Sequence, residues 1–538
     1  MRDTEVLIVG AGPTGLVLAL WLTRLGVGVR IVDKTAEPGT TSRALAVHAR
    51  TLEWYRQIGL ADAIVARGRK ISSINLWVNG GRVAHAELGD IGTGISAFPY
   101  VLVLPQDEHE RVLIDRLHDA GVDVERQTQV DGFEETGGHV RARVTRPDGL
   151  TETCEAAYIA GCDGAHSVVR QTLGIGFPGG TYEHLFYVAD VDARGPTMNG
   201  ELHAALDEDD FLAVFPLKEP GRARLVGIVR AGAAGQRGDL SWEDVSTRVM
   251  TWLRIDVERV HWLSSYRVHH RVADQFRRGR AFLLGDAAHI HSPVGGQGMN
   301  TGIGDAVNLS WKLAAVLRGR ADDSILNSYE PERIGFARRL VATTDEAFAG
   351  VTSSDWIARR LRLNVVPLVL PLAFRVQTIR RFMFRTVSQT AVHYRVSTLS
   401  EGRTGAVWGG DRLPWVAPPV NGGDNFTPLM SLDWQVHVYG DATRELRAAC
   451  AERSLALHVF PWRGESGRAR LHRDAVYLVR PDGYIGLAQS QARPGALTSY
   501  LDERRLRPGM RVPPSTDKAG LVEGGRMRPM AIVSDSHL

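Results

Sequence analysis

Unbroken apolar runs, rather than alternating ones, mark the beginning of this chain. Val6-Leu7-Ile8-Val9 has no polar position, which suits a parallel strand covered on both faces. Leu16 to Leu25 then carries apolar residues at helical spacing, and Gly26 is a good C-terminal stop. Val29 to Asp33 reads as the next strand, so residues 5–33 predict strand, tight turn, helix, strand. From about 70 to 105 the pattern turns to short alternating strands, Ile74 to Val78 among them. Glu108 to Ala120 reads as a helix, and a β-meander follows it to Asp148-Gly149. Strand-like runs at Phe211–Phe215 and Ala223–Val229 place a second sheet within 180–270, packed beside the first unit. Helical periodicity resumes at Asn300 and continues, with interruptions, to about Thr398. Beyond the Gly/Pro-rich stretch Thr404–Phe426 the signals alternate again: Trp434–Tyr439, Ala442–Glu452, Ala456–Val459, Ala475–Val479 and a turn at Arg480-Pro481-Asp482-Gly483. These make a small terminal α/β unit.

The 538 residues provide enough chain for more than one core. Basic and acidic residues nearly balance, 64 against 61, so composition gives no reason to expect nucleic acid as a partner. The three cysteines, Cys154, Cys162 and Cys450, form no CxxC, which argues against a disulfide framework and a zinc site and favours a reducing cytoplasm. Met1 to Glu5 is charged, and the apolar run after it is short and broken by glycines, so no signal peptide is expected. The stretch Val365–Phe374 is too short for a membrane span and contains two prolines. Its basic neighbours Arg359, Arg360, Arg362, Arg375, Arg380 and Arg381 admit a membrane-surface helix, but packing on the protein's own surface or at a subunit interface is favoured, and Arg359, Arg360 and Arg362 suit a solvated face. A homodimer is left open.

Three segments carry the chemistry. Gly10-Ala11-Gly12-Pro13-Thr14-Gly15 gives GxGxxG directly after a strand and at the opening of a helix. That arrangement admits a pyrophosphate against the backbone and the positive helix end. Asp33, at the end of the following strand, is placed to accept bonds from a ribose. Asp163-Gly164 follows Tyr158-Ile159-Ala160, and Gly285-Asp286 follows Ala281 to Leu284 in the same manner. The latter continues into Ala287-Ala288-His289, Pro293, Gly295, Gly296, Gly298, Met299 and Asn300, a glycine-rich loop that opens a long helix bearing Asp305, Asn308, Trp311 and Lys312. The N-terminus of that helix offers a partial positive charge to an anionic ligand group. His289 and His291 have no partner at ligand spacing, so no metal is expected.

Together these segments resemble the class A FAD-dependent aromatic hydroxylases, the family of para-hydroxybenzoate hydroxylase and phenol hydroxylase. Ser42-Arg43-Ala44 with Arg50-Thr51-Leu52-Glu53, and Leu104-Pro105-Gln106 with Glu110, extend the match. The C-terminal unit, with its Val479-Arg480-Pro481-Asp482-Gly483-Tyr484 turn, resembles the thioredoxin-like domain of the longer members, such as pentachlorophenol and polyketide-tailoring hydroxylases. Without CxxC it is expected to be structural or to serve oligomerisation.

The resemblance implies an α/β (α+β) fold: a Rossmann-like FAD-binding domain, an inserted β-sheet substrate domain and the thioredoxin-like unit. The expected boundaries are 1–178 for the first FAD-binding part, including strands at 70–105, then 179–272 for the substrate sheet. Residues 273–403 complete the FAD-binding part, and 404–538 form the terminal unit. It implies FAD contacts at Gly10, Gly12, Pro13, Thr14, Gly15, Asp33, Lys34, Arg43, Gln106 and Val130. Further contacts are implied at Asp163, Gly285, Asp286, Pro293, Gly296, Gly298, Met299 and Asn300. Arg43 and Pro293 are expected to gate and position the flavin, and Asp163-Gly164 to serve both FAD and the nicotinamide donor.

The implied reaction uses NADPH or NADH and O2 to hydroxylate a phenolic or polycyclic ring through a flavin C4a-hydroperoxide. Only one GxGxxG opens a βαβ unit, so the donor has no Rossmann domain of its own and the flavin must move to meet it. A Baeyer–Villiger oxygen insertion on a polycyclic ketone, or a non-catalytic FAD-binding protein, are the rival readings. The substrate-activating base is not assigned; Tyr182, Tyr187, His203 and Asp210 are its candidates.

Overall fold

The computed structural model describes residues 4–39, 44–207, 210–229, 241–245, 247–292, 294–352, 374–419 and 422–509. Arg43, Pro293, the Arg359–Arg362 cluster and the apolar stretch from Val365, all but its last residue, lie outside them.

The opening apolar runs form a parallel core in the order Ala281–Leu283, Thr151–Gly161, Thr4–Val9, Val29–Val32 and Val124–Glu125. Val6, Leu7 and Ile8 are fully buried because helices cover one face and the Gln129–Thr136/His139–Thr145 hairpin extends the sheet beside them. Helix Pro13–Arg24 begins with proline in its first turn, where the missing N–H has no intrahelical partner to lose. It packs against Gln297–Leu317, the long helix opened by the third segment. All three segments therefore meet at the C-terminal ends of adjacent strands, where open α/β sheets bind ligands.

A second, 8-stranded sheet runs in the order His289–Ile290, Asp256–Val272, Gly179–Arg194, Arg222–Ile228, Phe211–Pro216, Leu202–Leu206, Ser73–Val78 and Gly81–Glu87. The strands at 73–87 therefore belong to this sheet, not to the nucleotide-binding part to which the sequence order assigned the 70–105 region. Ser73–Val78 pairs in parallel with Leu202–Leu206, Ile74 opposite Leu202. A pairing so distant in sequence leaves no local signal.

The terminal sheet has the core order Ala456–Phe460, Gln435–Tyr439, Val476–Val479, Ile485–Gln489. The first pair is parallel across helix Arg444–Glu452, and the last two pairs are antiparallel. This is the thioredoxin-like arrangement, and its Arg480–Gly483 turn is buried against the nucleotide-binding part.

Candidate functional site

The first segment is built from mutually exclusive contacts. Gly10 has φ +104°, and a Cβ there would lie 2.3 Å from the Cys162 carbonyl oxygen. A Cβ on Gly15 would lie 2.0 Å from the Gly10 carbonyl oxygen. These two glycines let the turn close onto the second segment and the helix close onto the turn. Gly12 differs: a Cβ would meet nothing within 4 Å, and its φ of −76° suits any residue. The space in front of Gly12 and the first turn of Pro13–Arg24 is therefore open, as a pyrophosphate needs.

Gly12→Ala is accordingly expected to change apoprotein stability by no more than about 1 kcal/mol while lowering FAD affinity at least about tenfold, as a side chain enters the phosphate approach. Gly10→Ala should instead destabilise the apoprotein by on the order of 3 kcal/mol. Thermal melts of apoprotein, paired with FAD titrations, separate the two.

The third segment meets the first at Thr14. A Cβ on Gly285 (φ +57°) would lie 2.7 Å from Thr14 Oγ1, and one on Gly302 would lie 2.3 Å from it. Thr14 thus fits between the Gly285 turn and the long helix. Arg170 joins the second segment to the third, donating to the Ala287 carbonyl at 2.8 Å and the Ala165 carbonyl at 2.7 Å.

Asp163 accepts from the Val168 amide at 2.7 Å through Oδ2, while its buried Oδ1 has no hydrogen-bond partner. Burial holds its carboxyl above the usual range. An orphaned carboxylate oxygen is what a ligand hydroxyl would satisfy. At Asp33, Oδ2 accepts from the Ala11 amide at 2.6 Å and Oδ1 from the Thr35 amide at 2.8 Å. The carboxylate tethers the glycine turn and still has acceptor capacity for a ribose. Lys34 is exposed beside it. Val130 is buried in the strand that follows Thr128, whose amide donates to the Asp33 carbonyl at 2.9 Å.

Gln106 accepts from the Ala44 amide at 3.3 Å and donates to Glu110 at 2.8 Å, and Glu110 in turn accepts from the Gly39 amide at 3.1 Å. These two side chains hold the Gly39 and Ala44 amides. Gly296 (φ +62°) caps the long helix, and a Cβ there would lie 2.8 Å from that of Ala46. Gly298 faces the His291 ring, with Nε2 at 3.7 Å from its would-be Cβ. Met299 Sδ lies 3.3 Å from His109 Nδ1. The Asn300 side chain is consumed by the protein: it accepts from the His48 amide and Thr51 Oγ1 and donates to the Ala46 and Gly296 carbonyls. Asp286 is exposed at the turn.

Two residues that hold this loop were not predicted as site residues. Asp305 was read only as a helix residue, and Arg333 carries no motif at all. Asp305 Oδ2 accepts from the Gly285 amide at 3.0 Å and bonds His289 Nε2 at 2.7 Å, and Arg333 Nε donates to Oδ1 at 2.6 Å.

The family scan matches residues 3–344 to a model described as an FAD binding domain. The chain belongs to this family of FAD-binding monooxygenases. Among its relatives, 6-methylpretetramide 4-monooxygenase of Streptomyces rimosus is 34% identical over 546 aligned residues, covering 96% of each chain. Pentachlorophenol 4-monooxygenase of Sphingobium chlorophenolicum is 33% identical over 64% of each. Among solved structures, the OxyS anhydrotetracycline hydroxylase of Streptomyces rimosus superposes with a TM-score of 0.73 at 29% identity, covering 93% of this chain and 98% of that one. CabE, an aromatic hydroxylase from angucycline biosynthesis, gives 0.72 at 28% identity, covering 93% and 99%. This FAD-binding monooxygenase is thus an aromatic hydroxylase, and the open Gly12 cradle and the orphaned Asp163 oxygen fit the cofactor.

The second sheet has two distinct faces. On one, Tyr187, Ala189, Leu212, Val214 and Leu225 pack against Val249, Met250 and Leu253 of helix Arg248–Leu253. On the other, Phe215 and Leu217 pack against Leu45, Ile71 and Val103 of the FAD-binding part, and Arg224 reaches the Ala44 carbonyl at 3.5 Å. Strand alternation decides which side chains face the flavin-binding part. Tyr187 and His203 lie on the helix-covered face, His203 bonded to Trp77 Nε1 at 3.1 Å and to Asn199 at 3.0 Å. Asp210 sits in the turn just before strand Phe211–Pro216, close enough to Tyr187 that its charge adds to burial in raising that phenol's pKa. The expectation of a base at these three positions is therefore corrected: both faces are buried, so hydrophobicity gave no parity signal. Tyr182 clusters with Phe186, Phe211, Ile228, Tyr266 and Val268 on the face toward the FAD-binding part, its ring 4.8 Å from that of His270.

Proposed function

We propose that this enzyme hydroxylates a large, polycyclic phenol, with the substrate lying between the flavin-side face of the second sheet and the glycine-rich loop. The observation that carries the reading is that face itself. It offers apolar and aromatic side chains, Phe186, Phe211, Phe215 and Tyr266, around one buried ion pair. Arg224 is 2% exposed at its side chain and grips Asp190 bidentately at 2.6 and 2.8 Å. A guanidinium so neutralised does not demand an anionic substrate, whereas the apolar surround favours a broad aromatic one. The relatives that act on 6-methylpretetramide and anhydrotetracycline support a polycyclic guest.

Bound FAD would supply the redox chemistry, accepting electrons from NADPH or NADH and activating O2 for transfer to the ring. The protein's part is placement. The Gly10–Gly15 turn would hold the pyrophosphate, Asp33 and Val130 the adenosine end, and Asp163 Oδ1 a hydroxyl of the cofactor or donor. The N-terminus of Gln297–Leu317 would face the flavin ring. Arg43 is proposed to border the flavin's path, with Pro293 positioning the ring. Tyr182 is the remaining candidate to accept or relay the phenolic proton. With strands 73–87 assigned to the second sheet, the remaining divisions at 178, 272 and 403 are proposed to separate these functions, and the cytoplasm to supply reduced nicotinamide.

The test is NADPH- and NADH-dependent oxygen uptake against simple phenols and tetracyclic phenols, with products weighed by mass spectrometry. Stimulation by the larger substrates, with a gain of one oxygen and an intact ring system, is expected. A ring-expanded ester would identify Baeyer–Villiger insertion instead. A flavoprotein that none of these compounds stimulates would remove the catalytic reading.

A further inference from the structure

The turn that carries Asp286 is held from a distance. Asp305 accepts from the Gly285 amide and His289; Arg333 grips Asp305 and donates through Nη2 to the Thr301 carbonyl at 3.0 Å. Arg333 Nη1 donates to the Tyr394 hydroxyl at 2.8 Å. Tyr394 lies in the connection to the C-terminal unit, its ring centroid 4.4 Å from that of Tyr484 and 5.4 Å from the Arg480 guanidinium. None of Asp305, Arg333, Tyr394, Tyr484 or Arg480 is more than 2% exposed. A second set of bonds runs alongside: Gln389 donates to Gln297 at 2.7 Å and Thr301 at 3.0 Å, and Gln297 donates to the Val387 carbonyl at 2.8 Å. The connection is therefore tied both to the Gly285 turn and to the first turn of the helix proposed to face the flavin.

We propose that Tyr394 is a positioning residue for the flavin loop, transmitting the seat of the C-terminal unit through Arg333 and Asp305 to Gly285 and Asp286. The inference rests on placing the flavin ring beside that loop. An arginine with acceptors fixed at Nε, Nη1 and Nη2 has one orientation; losing one acceptor leaves a buried N–H unpaired and frees the plane to turn. Asp305 is held at Oδ1 by Arg333 and at Oδ2 by the Gly285 amide and the His289 ring, so a turned guanidinium moves the carboxylate that holds the Gly285 amide. The C-terminal unit would on this account shape the cofactor site, a role beyond structure or oligomerisation.

The test compares Tyr394→Phe with Tyr500→Phe. Tyr500 also loses one buried hydroxyl bond, 2.7 Å to the Leu399 carbonyl, but has no bond to Arg333. For each full-length protein, FAD dissociation from apoprotein is measured by flavin fluorescence, with the absorption spectrum of bound flavin and the melting temperature of the apoprotein. Tyr394→Phe is expected to weaken FAD about tenfold and to alter the flavin absorption band, while Tyr500→Phe changes neither. Equal FAD affinity and spectrum for Tyr394→Phe and wild type would overturn the proposal, and so would equal weakening in both variants. If Tyr394→Phe does not fold, Arg333→Lys, which keeps the charge beside Asp305 but not the reach to Tyr394, decides by the same two readouts. Wild-type apoprotein that takes up FAD with no spectral sign of a protein-bound ring would instead remove the placement on which the inference rests.

Discussion

Glu332→Ala is expected to destabilise the protein by about 3–5 kcal/mol, the usual penalty for stranding one member of a buried ionic cluster. Glu332 accepts from Arg480 at 2.8 and 3.0 Å, from Lys312 at 2.8 Å, from Asn308 at 2.6 Å and from Ser397 at 2.6 Å. Asp482 completes the set, bonding Arg480 at 2.6 Å and accepting from Trp311 Nε1 at 3.1 Å. Two cations thus face two anions, all essentially without exposure. Burial on its own would raise the Glu332 pKa, but the charges of Arg480 and Lys312 overcome it and hold the carboxyl well below its usual range. Without Glu332 the cluster has one uncompensated cation exactly where the C-terminal unit meets helices of the FAD-binding part. A penalty of that size is a large share of ordinary stability, about 5–15 kcal/mol. Urea unfolding and limited proteolysis check it: the midpoint should fall and cleavage should begin in the connection near Ser400. An unchanged midpoint would show that the cluster does not hold the two parts together.

Acid should unfold the protein through its buried histidines. Burial pushes His48 down to about 4, and His109 and His437 each to about 3. All three are no more than 1% exposed. Each is neutral when folded, whereas the unfolded chain takes up a proton near pH 6.5, so between these values the unfolded state binds more protons. The stability they contribute is complete above about pH 6.5 and is lost as pH falls toward 4 and then 3. At pH 5 the loss amounts to about 2 kcal/mol for each residue, or about 6 kcal/mol together. Melting temperatures measured from pH 8 to 5 should therefore drop steeply below pH 6.5, and His437→Asn should flatten that slope. A melting temperature independent of pH over this range would contradict the buried, neutral state of these rings.

The reach of the sequence can be traced residue by residue. Gly10, Gly12 and Gly15 were legible because strand, turn and helix are neighbours along the chain, and local sterics decide the turn. Gly285-Asp286 and the glycine-capped helix were legible for the same reason. Residues at 73–87 were not, since their sheet partner at Leu202–Leu206 is remote in the chain and local patterning does not choose between two sheets. Tyr187, His203 and Asp210 were misplaced because both faces of the second sheet are covered. Arg50 and Glu53 were legible as a family motif but not in role: Arg50 donates to the Asp482 carbonyl at 2.8 Å, and Glu53 accepts from Arg412 at 2.8 Å, across the junction with the C-terminal unit.

What the sequence determined alone was therefore the cofactor class and the local build of the three segments proposed to receive it, because a backbone cradle for a dinucleotide is specified by short-range glycine and helix-start chemistry. The tertiary structure decided how those segments are held: Thr14 between Gly285 and Gly302, and Asp305 under Arg333 and Tyr394. It also decided which face of the second sheet looks toward the FAD-binding part. Such contacts join residues from tens to hundreds of positions apart, where the choice of partner is made by packing and charge compensation rather than by any local pattern.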